Sequence, residues 1–353
     1  MKVLQLIDSL AIGGAERMAV NMANVFCDKQ IENVLVCVRS NGPLFAFLPE
    51  NYKVVELNKK SFFDLISFRK LSLVIKRERP DIIHAHSSSI YWAIALKLFF
   101  PKTKLVWHDH DGLSEKLKDT DRKTLKLFSG YIDGIITVNH ILKFWSERNM
   151  RVEKIIYLKN FPYLKPLKTE IKEKFIILHL ANLRPQKDHF TLIEAIRILK
   201  KRDLVTFEVW CGGTDASDSY SESLREKIKE YDLEGDIKFL GGVVNTNSLF
   251  AKASLGVLSS ISEGLPVSLL EYGLAALPVV VTNVGQCAEV VGHSQIPVLI
   301  SPQNSEELVE AIEWHIKNRD ESIKWGLSFK NRIIAEYGSL NFVNNYLEFI
   351  KDI

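Results

Sequence analysis

Short runs of aliphatic and β-branched residues alternate with longer stretches of helix-like periodicity along most of the chain. The first series of predicted strands covers residues 3–7, 34–38, 82–84, 104–107, 134–138 and 154–157. The second series covers residues 175–180, 206–210, 237–239, 253–258, 278–282 and 297–299. Strands that are each followed by a helix are typical of parallel βαβ units. The pattern therefore predicts an α/β protein with two doubly wound parallel-sheet domains.

Residues 161–174 contain two prolines and a run of charge, which is typical of a linker. We place an N-terminal domain at 1–165 and a C-terminal domain at 172–338. Residues 339–353 form a predicted amphipathic helix, because their apolar side chains recur at helical spacing. Ligands should bind beyond the carboxyl ends of the strands, where loops and helix N-termini present unpaired N–H groups.

The composition is globular, with 46% hydrophobic and 25% charged residues in 353, and the length suits two domains. The net charge of +3 conceals an asymmetry between the halves. Residues 1–165 carry 26 basic and 17 acidic side chains, about +9, whereas residues 166–353 carry 20 and 26, about −6. A basic half favours an acidic ligand or an anionic membrane surface, although a solvated basic face explains it equally well. We expect no nucleic-acid partner.

The four cysteines, Cys27, Cys37, Cys211 and Cys287, show no C-x-x-C spacing and lie in apolar stretches, which favours reduced core thiols. The apolar run at the N-terminus is too short for a signal peptide. The longest hydrophobic patch, residues 91–100, includes Lys97 and is well below the roughly 20 residues that cross a bilayer. These features predict a cytoplasmic protein.

Two adjacent glycines, Gly13 and Gly14, follow the first predicted strand and open a helix. Backbone N–H groups at this point can approach a phosphate or a sugar closely. A plain tight turn between strand and helix explains the pair equally well, and the segment departs from the G-x-G-x-x-G pattern.

Two His-x-His pairs, His84 with His86 and His108 with His110, end two of the predicted strands. Residues two apart on a strand face the same way, so such pairs could hold zinc in a metal-dependent hydrolase. We favour the alternative that one histidine of each pair packs at the strand end while the other lines a pocket. No carboxylates with a matching metal-site pattern are evident in the sequence.

A loop that follows the strand at 175–180 carries two cations three residues apart, Arg184 and Lys187. Such a pair can neutralise a diphosphate in place of a metal ion. Cations in loops are, however, often only solvated, so the pair alone does not establish a diphosphate site.

The most informative segment, residues 262–271, places Glu263 and Glu271 eight residues apart around a helix start. Gly264 permits a tight approach and Pro266 suits the first helical turn, which leaves the N–H groups after Glu263 free for phosphate or a sugar hydroxyl. Glu263 can accept hydrogen bonds from sugar hydroxyls, and Glu271 can reach a ribose diol. The alternative is that Glu263 caps the helix and Glu271 is a solvated helix residue.

These pieces, in this order, resemble family 4 of the retaining glycosyltransferases over nearly the whole chain. That family has the GT-B fold, in which two Rossmann-like domains face each other across a cleft. The segments that carry the resemblance are Gly13-Gly14-Ala15-Glu16, the "D-x-x-H-x-H" strand at 80–86, the strand at 104–112, Asn160-Phe161, the cationic loop and the glutamate pair with Gly264-Leu265-Pro266. Phe161 stands where the family has glycine. The doubled histidine leaves two candidates for the active-site residue, and we prefer His110 to His108 because Gly112 follows it.

The resemblance implies roles for these residues. Catalysis would rest on His110 or His108 and on Glu263. The donor would be bound by Gly13, Gly14, Arg184, Lys187, Glu263, Gly264, Leu265, Pro266, Glu271 and Gly285. Retention in this family is explained by front-face attack, in which the donor phosphate helps to deprotonate the acceptor hydroxyl. Neither a metal ion nor another cofactor would be needed.

The resemblance also implies the reaction: transfer of a sugar from a UDP- or GDP-type donor to a glycan or lipid-linked acceptor, in surface polysaccharide assembly. The C-terminal helix would pack back on the N-terminal domain. A predicted basic helix could rest on an anionic membrane from its inner face; its cations are Lys116, Lys118, Arg122, Lys123 and Lys126. Two alternatives stay open at this point, a zinc-dependent hydrolase and a noncatalytic nucleotide-sugar-binding module.

Overall fold

A computed structural model describes residues 1–61, 64–111, 117–118, 122–164, 174–202 and 206–353. It divides into two compact units. Unit 1 comprises Met1–Tyr163 and Ser339–Ile353, and unit 2 comprises Leu164–Gly338. The division falls two residues before the first predicted domain limit. The limits 165 and 172, together with most of the predicted linker, lie outside the described residues.

Unit 1 contains a seven-stranded parallel sheet in the order β3-β2-β1-β4-β5-β6-β7. The strands are β1 (Lys2–Ile7), β2 (Glu32–Cys37), β3 (Val54–Glu56), β4 (Ile82–His86), β5 (Lys104–Asp109), β6 (Gly134–Thr137) and β7 (Lys154–Tyr157). Six of them were predicted from the sequence. Edge strand β3 was missed because three half-buried residues are too few to show a periodic pattern.

Within the described residues, five α-helices connect these strands: α1 (Gly14–Asp28), α2 (Leu65–Glu78), α3 (Ile90–Lys97), α4 (Lys123–Phe128) and α5 (His140–Asn149). Alternate strand residues point to opposite faces, so the sheet has two cores. On one face, Leu4, Leu6 and Ile83 pack with apolar side chains of α2, α3, α4 and α5. On the other face, Val3 and Ile82 pack with α1. Helices α2 to α5 therefore form one layer of unit 1.

Unit 2 contains a six-stranded parallel sheet in the order β10-β9-β8-β11-β12-β13. Its strands are β8 (Phe175–Leu180), β9 (Phe207–Gly212), β10 (Ile237–Gly241), β11 (Leu255–Leu258), β12 (Val279–Thr282) and β13 (Leu299–Ile300). Its helices are α6 (His189–Arg202), α7 (Ser219–Glu230), α8 (Asn247–Lys252), α9 (Val267–Leu274), α10 (Cys287–Val291), α11 (Ser305–Lys317) and α12 (Arg319–Tyr337). The two sheets confirm the predicted fold class.

The order of the strands reverses once in each sheet, between β1 and β4 in unit 1 and between β8 and β11 in unit 2. At such a switch point the loops after neighbouring strands diverge and leave a crevice beyond their carboxyl ends. An open α/β sheet binds its ligand at this position, so a ligand is expected at these two sheet edges.

The last helix, α13 (Ser339–Lys351), belongs to unit 1 and packs beside α1. The Tyr346 ring lies 5.3 Å from Phe26, and Phe342 lies 4.5 Å from Phe161. Phe161 is fully buried. Burial of a side chain of this size stabilises the fold by about 1.5–3 kcal/mol. This gives a physical reason for phenylalanine where the family motif has glycine.

The four cysteines are unpaired, and three of them are buried as the sequence predicted. Cys27 is the exception, because it lies in the exposed last turn of α1. Within the described part of the chain, no helix combines the length and apolar character that crossing a bilayer requires.

Candidate functional site

The switch point of unit 1 gathers the two His-x-His pairs into one cluster. His84 and His86 project from the same side of β4, and His108 of β5 lies beside His86 in register. His110 follows β5, and its ring centroid is 3.9 Å from that of His108. Parallel pairing of β4 with β5 thus joins pairs that are 24 residues apart in sequence.

Hydrogen bonds fix the orientation of these rings. His84 Nε2 lies 3.2 Å from His108 Nδ1, and His86 Nδ1 lies 3.1 Å from His110 Nε2. His86 Nε2 also lies 3.0 Å from Oε1 of Gln5 on β1. A carbonyl oxygen only accepts, so with this amide orientation His86 carries its proton on Nε2 and accepts the His110 Nε2–H at Nδ1. The lone pair of His110 then lies on Nδ1, where it can accept a hydrogen bond from a substrate hydroxyl.

Burial lowers the pKa of all four imidazoles, because a charged ring would lose its hydration. The pKa of His84 and of His110 falls to about 3, and those of His86 and His108 fall well below their ordinary range. Neighbouring imidazoles add to the effect for His84, His86 and His108. The cluster is therefore neutral at pH 7.

We expect this cluster to make the protein less stable as the pH falls. A histidine with a depressed pKa binds fewer protons folded than unfolded, so stability is fully present above the ordinary value of 6.5 and decreases from there toward about 3. Each such group contributes a slope of about 1.4 kcal/mol per pH unit in that window. Urea unfolding at pH 7, 6 and 5 measures the slope. His84→Gln should reduce it, whereas the exposed control His293→Gln should not; a slope unaffected by His84→Gln would contradict the assignment.

A cavity of about 270 Å³ lies beside the cluster, within unit 1. His110 lines it together with Ser87, Ser88 and Tyr91. His108 is fully buried, so of the two candidates for an active-site histidine only His110 faces this cavity. In the pair His108 and His110, one histidine is packed and the other lines a pocket, as the sequence predicted. In the pair His84 and His86, both histidines are buried. Gly112, on which the preference for His110 rested, lies outside the described residues.

The backbone bends sharply directly after β4, where Ser87 and Ser88 line this cavity. Ser87 has φ +49°, a left-handed conformation that costs free energy in a residue with a side chain. The bend lets Ser88 Oγ donate a hydrogen bond to Asp8 of the loop after β1. Both loops at the switch point are thereby held together.

An ion network also lines the cavity. Arg122 donates from both terminal nitrogens to Asp109 and from Nη2 to Asp111 Oδ2 at 2.8 Å. Its guanidinium lies over the Trp107 and Trp145 rings, at 5.3 and 5.2 Å from their centroids. Burial raises the pKa of Asp109, and the charge of Arg122 opposes that rise. These contacts hold the charged side chains of the cavity wall in fixed positions.

The prediction of one basic helix that carries all five cations is wrong. Arg122 lies in a turn with φ +58° before α4 and neutralises two carboxylates, so it offers no charge to a membrane. Lys118 lies outside any helix, and Lys116 lies outside the described residues. Only Lys123 and Lys126 remain on α4. The sequence pattern failed here because the aspartate partners belong to another segment.

Three of the histidines also have the spacing that a metal ion needs. His84, His86 and His108 each offer a nitrogen, and these atoms lie within 4.8 Å of one another. The same rings already hydrogen-bond other rings and Gln5. His84 Nδ1 and His108 Nε2 are buried and make no hydrogen bond to the described residues, whereas both ring nitrogens of His86 are engaged. An ion would therefore have to displace a bond of His86, and the geometry permits a metal site as well as a hydrogen-bonded neutral cluster.

The glycine pair opens α1 at the carboxyl end of β1. Gly13 is extended, with φ −164°, and neither glycine is left-handed. A Cβ on Gly14 would meet no atom within 4 Å, and one on Gly13 would meet only the movable carboxylate of Glu16. The turn itself therefore does not require glycine. What the missing side chains provide is free access to the N-terminus of a 15-residue helix.

In unit 2 the switch point brings together Lys187 and Glu263. Lys187 Nζ lies 2.5 Å from Glu263 Oε1, and Ser260 Oγ donates to the same oxygen at 2.7 Å. The loops themselves are joined as well, because Ile261 N donates to Gln186 O. Glu263 is only 7% exposed, so these hydrogen bonds replace the water that its carboxylate has lost on burial. Arg184, the other predicted cation, is exposed at the start of the same loop.

The loop after β12 packs directly on Glu263. Gly285 has φ +52°, and a Cβ there would lie 2.1 Å from the Glu263 carbonyl oxygen. Gln286 N donates to Gly264 O at 3.0 Å. Gly285 is therefore required by both its backbone conformation and its close contact. The preceding residue, Val284, donates its N–H to the carbonyl oxygen of Thr282, the last residue of β12, at 2.9 Å.

Glu271 lies in the middle of α9 and is 3% exposed. Its neighbour Tyr272 fixes the helix against β8, because its hydroxyl donates to Leu178 O at 3.1 Å and accepts from Leu180 N at 2.7 Å. Glu271 is thus a buried acid rather than a solvated helix residue. Glu263 is not a cap either, since Pro266 holds that position. Pro266 consequently precedes the helix, one residue earlier than predicted, and Leu265 is buried in the core.

Sequence reasoning missed two residues that orient the candidates, Gln5 and Ser260. Gln5 is a fully buried polar residue in the otherwise apolar strand β1. That interruption was the available signal, since a buried amide needs a hydrogen-bond partner. Ser260 gives no such signal, because serines are common after strands.

Comparison with known proteins gives consistent matches. Residues 12–161 match the family model "Glycosyltransferase Family 4" and residues 164–332 match "Glycosyl transferases group 1". A Haemophilus influenzae uncharacterized glycosyltransferase is 24% identical over 92% of this chain and 93% of its own. An Escherichia coli UDP-Gal:alpha-D-GlcNAc-diphosphoundecaprenol alpha-1,3-galactosyltransferase is 23% identical over 77% of each chain. The structure of Anabaena Alr3699/HepE in complex with UDP-glucose covers 100% of both chains, with TM-score 0.80 and 19% identity.

Proposed function

Because the chain belongs to glycosyltransferase family 4 and has its GT-B fold, we propose that it transfers a sugar from a nucleotide diphosphate donor with retention of configuration. The observation that carries this proposal is the Lys187–Glu263 contact at the switch point of unit 2. A cation and a carboxylate held there side by side suit a ligand with a diphosphate next to sugar hydroxyls. Family membership makes the chain a transferase rather than a hydrolase or a noncatalytic binding module.

The donor would be bound by the residues of unit 2. Glu263 accepts hydrogen bonds from the sugar hydroxyls, and Glu271 does so from the ribose. Lys187 and Arg184 offset the charge of the departing nucleoside diphosphate, together with the backbone N–H groups of Gly264 and Gly285. Electrostatic stabilisation of this kind acts on charge that grows during bond cleavage, so it lowers the barrier without a metal ion. We therefore propose metal-independent catalysis.

The acceptor hydroxyl would be deprotonated by the donor phosphate itself, in a front-face attack that needs no enzymic nucleophile. In unit 1, His110 is neutral at pH 7 and can accept a hydrogen bond from a substrate hydroxyl at Nδ1. Gly13 and Gly14 leave the start of α1 accessible to the same substrates. The roles of these residues are binding and orientation.

Relatives favour a particular pair of substrates. The Anabaena protein binds UDP-glucose, and the Escherichia coli relative uses a UDP-sugar and a diphosphoundecaprenol-linked acceptor. We propose a UDP-sugar in preference to a GDP-sugar, and a glycan on a lipid diphosphate as acceptor. Such a reaction belongs to surface polysaccharide assembly at the inner face of the cytoplasmic membrane, with this chain as a peripheral protein.

A panel of UDP- and GDP-sugars, each tested by thermal unfolding with and without a chelator, tests the proposal. Binding at a concentration of 100 times Kd stabilises the folded state by about 2.7 kcal/mol. We expect one UDP-sugar to raise the melting temperature with no effect of chelator. Glu271→Ala should abolish that shift, and the exposed control Glu310→Ala of α11 should retain it. No shift with any donor, but a chelator-dependent loss of stability, would instead favour a metal at His84, His86 and His108.

A further inference from the structure

Five large apolar side chains are exposed together on the outer layer of unit 1. Leu65, Ile66 and Leu73 on α2 are 79%, 84% and 58% exposed, and Leu98 and Phe99 after α3 are 60% and 67% exposed. Ile66 and Leu73 are seven residues apart and so share one side of α2. Single exposed apolar residues are ordinary, whereas a connected group marks an interaction surface.

The connection between the two helices is a cluster of aromatic rings. Phe68 in the first turn of α2 lies 5.7 Å from the Phe99 ring and 5.9 Å from the Trp92 ring of α3. Phe68 lies one turn after Leu65 on α2, so Leu65 and Phe99 flank the same rings. Ile66 and Leu73 extend the exposed apolar area along the outer side of α2. We call this area the α2–α3 surface, and it consists of Leu65, Ile66, Leu73, Leu98 and Phe99.

The charge around the α2–α3 surface is mainly positive, and the exception is Asp64 at the N-cap of α2. Residues 65–77 contain four exposed basic side chains and no acidic one. Arg69, Lys70 and Lys76 alternate with the apolar residues, and Lys102 follows Phe99. Glu78, the first acid after them, is buried and paired with Lys2, among other cations. Apolar side chains set among cations complement the interface of an anionic bilayer, where tails and phosphates lie side by side.

The α2–α3 surface is continuous with the cavity of unit 1. Tyr91 of α3 lines the cavity that contains His110. The next residue, Trp92, contacts Phe68, which in turn contacts Phe99 of the surface. A lipid in the bilayer beneath this surface would therefore lie close to the cavity. Nothing comparable supports the segment around Arg122, whose charge is neutralised by Asp109 and Asp111.

We propose that the α2–α3 surface docks the protein on an anionic lipid bilayer. Leu65, Ile66 and Phe99 enter the headgroup region while Arg69 and Lys70 contact lipid phosphates. The docking brings the cavity of His110 to the membrane surface, where a lipid-linked acceptor resides. The inference rests on the proposed function for that last step, but binding to lipid requires neither a donor nor turnover.

Cosedimentation of the full chain with phosphatidylcholine vesicles, with and without phosphatidylglycerol, tests the docking. We expect binding to the anionic vesicles, and a fall in the bound fraction of about tenfold for Ile66→Glu/Phe99→Glu. Arg69→Glu/Lys70→Glu should lower binding to a similar extent. The matched control is Ile323→Glu/Leu327→Glu on α12 of unit 2, whose targets are 55% and 53% exposed, and it should bind like the wild type.

The same preparations are assayed for the donor-induced thermal shift, which separates this inference from the proposed function. Retained donor binding without vesicle binding would overturn the docking alone, and vesicle binding without any donor shift would overturn the proposed function alone. Equal losses in the α2–α3 and α12 variants would also contradict the docking. If light scattering shows a dimer that Ile66→Glu/Phe99→Glu dissociates, and vesicles do not bind, the surface joins two copies of the chain instead.

Discussion

Glu263→Gln is expected to lower kcat/KM about 100-fold while the melting temperature changes little. The amide has the same shape as the carboxylate but no charge, so it accepts weaker hydrogen bonds from sugar hydroxyls. It also releases Lys187 Nζ, which lies 2.5 Å from Oε1 in the native protein. Loss of a charged hydrogen bond at a reacting centre costs about 1.5–3 kcal/mol or more of transition-state stabilisation. Steady-state kinetics with the donor found in the panel measures the change.

Two further variants make this result specific. Ser260→Ala removes the second bond to Oε1, at 2.7 Å, but keeps the charge, so its loss of activity should be smaller. The exposed Glu310→Gln in the same unit should behave like the wild type. If Glu263→Gln keeps the kcat/KM of the wild type, the assignment of Glu263 to the site is wrong. If its loss of activity parallels its loss of folded protein, Glu263 has a structural role only.

Arg122→Met is expected to destabilise unit 1 by about 3–5 kcal/mol, because it leaves a buried carboxylate without its partner. Asp109 is 2% exposed, and Arg122 supplies two of its hydrogen bonds. Removal of the guanidinium should raise the pKa of Asp109 further, since burial alone already raises it. Trp107 and Trp145 flank the arginine, so their fluorescence during urea unfolding reports the change directly.

The cause of this destabilisation can be isolated by a second substitution. Arg122→Met/Asp109→Asn removes the charge that would otherwise stay buried, so it should recover a large part of the lost stability. The control Arg151→Met changes an exposed arginine of the same unit and should shift stability by less than about 0.5 kcal/mol. If the double variant is no more stable than Arg122→Met, the unpaired charge is not the cause.

Much of the fold follows from local pattern. A parallel strand that is covered on both faces is mostly apolar, so β1 and β8 are visible as apolar runs, each interrupted by one buried polar residue, Gln5 and His179. Twelve of the thirteen described strands were located in this way, and the thirteenth, β3, is too short to carry a pattern. The candidate loops were found for a related reason, because ligands of such sheets bind where strands end.

The sequence by itself therefore determined the two α/β domains, and it placed Glu263, Glu271 and the cationic loop at the ends of strands or in the helix that follows, since these features depend on neighbours within one or two elements. Only the tertiary structure decided which residues meet. Gln5 and His86 are 81 residues apart, Lys187 and Glu263 are 76 apart, and Arg122 turns from a predicted membrane contact into the partner of Asp109. Such pairings depend on strand order and register, which no local periodicity encodes, because the free energy that fixes them comes from contacts between distant segments.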